Sequence, residues 1–65
     1  MSGKILWVSK RDGNGIIVTD DRKEWYFDTS VCPNFKSLKS CDIVTFEHND
    51  KIKDCRCAKN VVKFN

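Results

Sequence analysis

The run Lys10-Arg11-Asp12-Gly13-Asn14-Gly15 does more than any other segment to limit what this chain can become. Asp-Gly and Asn-Gly pairs supply the positive-φ residues that tight hairpins need. The run separates Ile5-Leu6-Trp7-Val8 from Ile16-Ile17-Val18-Thr19, and the second of these is rich in β-branched side chains that suit a pleated surface. A polar turn, Asp20-Asp21-Arg22-Lys23, then reads as a solvated hairpin tip leading to Glu24-Trp25-Tyr26-Phe27-Asp28. Three strands in a meander are the expected opening of the fold.

The stretch from Thr29 to Ser40 holds the only proline, Pro33, and has no convincing period. It reads as a short helical turn near Ser30-Val31-Cys32 followed by a long loop. Ile43-Val44-Thr45-Phe46-Glu47 is a fourth strand, His48 to Asp54 a charged loop, and Ala58 to Phe64 a fifth strand. Five short strands, split three and two by a longer connection, match an all-β, five-stranded antiparallel Greek-key barrel of the OB type. An SH3-like barrel has a similar strand count. Period-two alternation assigns Ile17, Trp25, Phe27, Val44 and Phe46 to the core and turns Ile16 and Tyr26 outward. The same rule places Trp7 on the face of Ile5, so an exposed Trp7 requires a bulge or strong local twist in the first strand.

Sixty-five residues make one small domain, residues 1–65, with no room for both a deep catalytic cleft and a core to support it. A chain of this size buries only about 60% of its unfolded surface. No apolar run approaches the roughly 20 residues that span a bilayer, and no signal-peptide cleavage site follows Met1-Ser2-Gly3-Lys4. A cytosolic protein without a membrane partner is expected, with Cys32, Cys41, Cys55 and Cys57 as free thiols. Zinc ribbons pair ligands as C-x-x-C, whereas Cys55-Arg56-Cys57 has one residue between, so no structural metal is expected. His48 is the only histidine, and nothing at a recognisable spacing makes a nucleophile–base pair with it. Neither enzymatic activity nor a cofactor is expected. The net charge of +3, from twelve basic and nine acidic residues, leans only mildly toward polyanions.

Six segments in order resemble the bacterial cold-shock proteins. Gly3-Lys4-Ile5-Leu6-Trp7-Val8-Ser9 is similar to that family's opening G-x-V-K-W-F-N. Asp12-Gly13-Asn14-Gly15-Ile16-Ile17 falls on K-G-F-G-F-I, its first RNA-binding motif. Trp25-Tyr26-Phe27-Asp28-Thr29-Ser30 falls on the second, V-F-V-H-F-S. Phe35-Lys36-Ser37-Leu38 resembles F-K-(S/T)-L, Ile43 to Glu47 resembles V-S-F-E, and Ala58-Lys59-Asn60-Val61 resembles A-A-N-V. The likeness covers nearly the whole chain, with small length changes in two loops.

The resemblance implies sequence-tolerant binding of single-stranded RNA or DNA, of the RNA-chaperone kind. Bases would stack on Trp7, Tyr26 and Phe35, Ile16 would offer an apolar edge, and Lys10, Lys36 and Arg56 would meet phosphates. Arg11 and Lys39 are further nearby cations. The family's two phenylalanines in the first motif are replaced by Asn14 and Ile16, its second-motif histidine and phenylalanine by Asp28 and Thr29, and two of its lysines by Leu6 and Asp12. Weakened or altered binding is therefore expected, with Asp28 repelling phosphate from the middle of the groove. Cys41 stands where the family usually has a glycine, so a change in that turn is expected. The alternative is a barrel of this kind that recognises a protein partner through its aromatic anchors. A monomer, or a weak homodimer through an exposed strand edge, is the expected state.

Overall fold

The first reversal of the chain turns on Gly13, whose φ of +75° is readily adopted only without a Cβ. Its amide donates to the Ser9 carbonyl over 2.8 Å, and the Asp12 amide donates to the Ser9 hydroxyl over 3.1 Å. Strand β1 (Ser2–Ser9) enters this turn and β2 (Asn14–Val18) leaves it. The computed structural model describes residues 1–51 and 56–64. The Asp-Gly pair thus makes the turn, while Asn14 and Gly15, expected within it, already belong to β2. Gly15 is needed for a different reason. A Cβ there would lie 2.8 Å from the Trp7 carbonyl oxygen and 2.9 Å from the Phe27 ring.

The second reversal uses Arg22, at φ 65°, with the Arg22 amide donating to the Thr19 carbonyl over 2.9 Å. Thr19, placed by sequence in the second strand, belongs instead to this turn. Strand β3 (Glu24–Asp28) covers the residues expected of it. Two short 3-10 turns follow, Thr29–Val31 and Phe35–Ser37; only the first was expected. Strand β4 (Ile43–His48) and strand β5 (Ala58–Lys63) complete the chain within a residue of the expected limits. Between the second 3-10 turn and β4, Cys41 sits at φ 74° and its amide donates to the Ile5 carbonyl over 2.8 Å. A residue with a Cβ therefore holds a left-handed conformation that costs roughly 1–2 kcal/mol away from glycine.

All five strands form one antiparallel sheet in the order β3-β2-β1-β4-β5. The sheet's two outer strands, β3 and β5, meet each other. Tyr26 bridges Cys57 in parallel, and the Tyr26 amide donates to the Arg56 carbonyl over 2.8 Å. The expected core residues Ile17, Trp25, Phe27, Val44 and Phe46 are all buried, together with Ile5, Leu38 and Val61. Each such side chain contributes about 1.5–3 kcal/mol when fully removed from water. Trp25 packs against Phe46 and the edge of His48, with ring centroids 5.3 Å away in each case. Among the described residues, no helix is long and apolar enough to cross a membrane.

Candidate nucleic-acid interface

The outer face of β1, β2 and β3 owes its shape to an irregularity in β1. Ile5 stands opposite Ile17, yet Trp7 stands opposite Ile16, so β1 advances two residues while β2 advances one. That is a β-bulge, which shifts the phase of side-chain alternation. Ile5 remains buried at 1% exposure, whereas Leu6 and Trp7 both turn to solvent at 46% and 44%. The bulge required by an exposed Trp7 is present.

Beyond it, register builds a row across three strands. Trp7 faces Ile16, and Ile16 faces Tyr26, which is 40% exposed. Neighbouring strands lie about 4.8 Å apart, so the two rings flank a central aliphatic side chain across about 10 Å. Ile16 itself is half-buried. Leu6, the residue the bulge leaves unpaired between Ile5 and Trp7, adds exposed apolar surface that sequence reasoning did not assign to the site.

A second row runs beside the first. Ser9 faces Asn14, and Asn14 faces Asp28. Asp28, the carboxylate expected in the groove, also has a structural part. Its Oδ1 accepts from the Ser30 amide at 3.0 Å and the Ser30 hydroxyl at 2.5 Å, capping the first 3-10 turn. The neighbouring Thr29 amide donates to the Gly13 carbonyl over 3.0 Å, tying this turn to the first hairpin.

Cations stand near both ends of the aromatic row. Lys10 follows β1, where its Nζ donates to the Phe35 carbonyl over 2.7 Å and lies 5.2 Å from the Phe35 ring centroid. Arg56 is exposed, and its Nε donates to the Glu24 carbonyl over 3.2 Å at the start of β3. Lys36 is exposed on the second 3-10 turn. None of Lys10, Lys36 or Arg56 is in an ion pair among the described residues.

Phe35 does not join the platform. It is 5% exposed and packs its ring 5.9 Å from that of Phe27 within the core. The reason is packing: the connection between β3 and β4 lies against the core and buries Phe35 and Leu38 there, together with Cys32. The site therefore brings together Trp7, Ile16 and Tyr26, with Lys10 and Arg56 at its margins, and leaves Phe35 beneath the surface as support for Lys10.

The cysteines divide. Cys32 is buried and Cys41 exposed, and both are free. Burial pushes the Cys32 thiol up, opposed by a hydrogen bond from the Asn34 amide and by the charge of Lys10. Cys57 is buried and disulfide-bonded, which corrects the expectation of a free thiol there. That expectation rested on compartment, and compartment says nothing of which sulfurs a fold brings together. Cys55 and its share of the zinc argument lie outside the described residues. Among the described residues, no group of three or more His, Cys, Asp or Glu side chains is placed to hold a metal ion. No protein-family model matches this chain, and no curated protein matches it either.

Proposed function

We propose that this chain is an OB-type barrel of the cold-shock kind that binds single-stranded RNA or DNA in the cytosol. Bases stack on the outer face of β1, β2 and β3. The observation that carries the reading is the row Trp7–Ile16–Tyr26 on the outer side of three adjacent strands, which Trp7 joins because β1 is bulged. A side chain as large and apolar as Trp7 is turned out of the core while Ile5, two residues earlier, is kept in.

The strand arrangement supports the barrel type. Read from β4, the spatial order β4-β1-β2-β3 is that of a Greek key, and the contact between β3 and β5 draws the two edges together. The chemistry is sequence-tolerant because every base has a π-face, and stacking contributes about 1–3 kcal/mol per base. Two rings supply less than a platform of four or five, so binding is modest. Lys10, Lys36 and Arg56 meet phosphates, which makes the affinity fall as salt rises. The reading requires no cofactor and no covalent step.

Titration with a short oligo-thymidine, followed by tryptophan fluorescence, tests it. Trp7 is the exposed reporter and Trp25 the buried one. A saturable change is expected, weakened by salt and weakened about 5- to 150-fold by Tyr26→Ala. No response at low salt would overturn the reading and leave a protein partner as the occupant of the aromatic face.

A further inference from the structure

Beside the stacking row lies a polar pair whose hydrogen-bonding capacity the protein does not use up. Asn14 and Asp28 face each other across β2 and β3, one row along from Ile16 and Tyr26. Two residues along a strand span about 7 Å, so a base seated over Ile16 and Tyr26 brings its edge to Asn14 and Asp28. The Asp28 carboxylate spends only Oδ1 on Ser30, and its Oδ2 has no hydrogen bond among the described residues. Among the same residues the Asn14 side-chain amide has none either. Both residues are half-buried, so their polar atoms are partly shielded from water yet reachable from the open face.

We propose that Asn14 and Asp28 read the edge of the base stacked on Tyr26 and select guanine against thymine and uracil. This rests on the nucleic-acid reading above and sharpens it. The Watson–Crick edge of guanine presents an acceptor, O6, followed by two donors, N1–H and the N2 amino group. An amide donor beside a carboxylate acceptor is the complement of that order. Oδ2 takes the guanine N–H groups in charge-assisted hydrogen bonds, and the Asn14 amide donates to O6. Thymine and uracil present one N–H between two carbonyl oxygens, and those oxygens are repelled by the carboxylate on either side of the single bond they allow. The charge that makes Asp28 unfavourable toward phosphate is thus favourable toward a donor-rich base edge. Capping fixes the carboxylate in place, so little is lost in ordering it.

The test compares oligo-thymidine with an alternating thymidine–guanosine oligomer of the same length, in which no run of guanines can self-associate. Wild type is expected to bind the alternating oligomer at least about tenfold more tightly. Asp28→Asn keeps an oxygen to cap Ser30 but exchanges the free acceptor for a donor, and it is expected to bring the affinities for the two oligomers together. A preference that survives Asp28→Asn would overturn the assignment, because it would come from the larger stacking area of a purine. Equal affinity of wild type for both oligomers would overturn the assignment while leaving the stacking reading intact. Binding to neither would remove both.

Discussion

Trp7 lies directly across from Ile16, although Ile5, two residues before it, lies across from Ile17. One inserted residue in β1 therefore separates a ring on the surface from an aliphatic side chain in the core. Truncating each should have opposite consequences. Trp7→Ala is expected to change stability by no more than about 1 kcal/mol, since the side chain is half in water. The same variant should lose about 5- to 150-fold in affinity for oligo-thymidine. Urea unfolding and a binding titration on the same preparation check both; a large stability loss with unchanged binding would place Trp7 in the core.

Phe35 should behave the other way. Its ring is buried against Phe27, so Phe35→Ala is expected to destabilise the fold by about 3–5 kcal/mol. In a domain this small that is a large part of the whole stability. Phe35→Leu refills much of the space, and is expected to fold and to bind oligo-thymidine with unchanged affinity. Weakened binding by a folded Phe35→Leu would return Phe35 to the stacking surface.

Gly15 marks where β2 passes under the Phe27 ring. A methyl group there meets the Trp7 carbonyl at 2.8 Å and the ring at 2.9 Å, and neither has room to retreat without moving backbone or core. Gly15→Ala is expected to lower stability by about 1–3 kcal/mol, read from the urea midpoint. An unshifted midpoint would mean that the two strands separate freely at this point.

The two free thiols should differ in reactivity. Only the thiolate attacks an alkylating reagent, and Cys32 is both buried and pushed toward its neutral form. Iodoacetamide at neutral pH should label exposed Cys41 in the native chain and reach Cys32 only after unfolding. Peptide mapping by mass spectrometry distinguishes them. Equal labelling rates would show that the connection around Cys32 opens readily.

At the second hairpin, the Thr19 hydroxyl donating to Asp21 holds that carboxyl below its ordinary value against desolvation, with lesser help from the Lys23 amide and ammonium. A carboxyl whose folded value is depressed stabilises fully above its unfolded value, near about 3.9, and loses that contribution as pH falls through the folded value. The difference in urea midpoint between wild type and Asp21→Asn is therefore expected to narrow from about pH 5 to about pH 2. A difference that is constant with pH would mean that Asp21 acts only through hydrogen bonds that its protonated form keeps.

How much of this was legible in the residue order depends on distance along the chain. The strands, the first turn at Asp12-Gly13 and the core set Ile17, Trp25, Phe27, Val44 and Phe46 followed from short-range rules: turn residues with special φ and side chains alternating every second position. Those rules act between neighbours, so a single sequence carries them. Even the need for a bulge before Trp7 could be stated, because alternation and an exposed ring are incompatible without one. Which residues share a row could not be read that way. That Asn14 faces Asp28, that Phe35 folds inward onto the core, and that Asp28 is held by Ser30 depend on strand register and on which loop covers the core. Register is a relation between segments far apart in the chain, settled by where the buried faces fit together. Local chemistry wrote the strands; packing between them decided which side chains stand side by side in water.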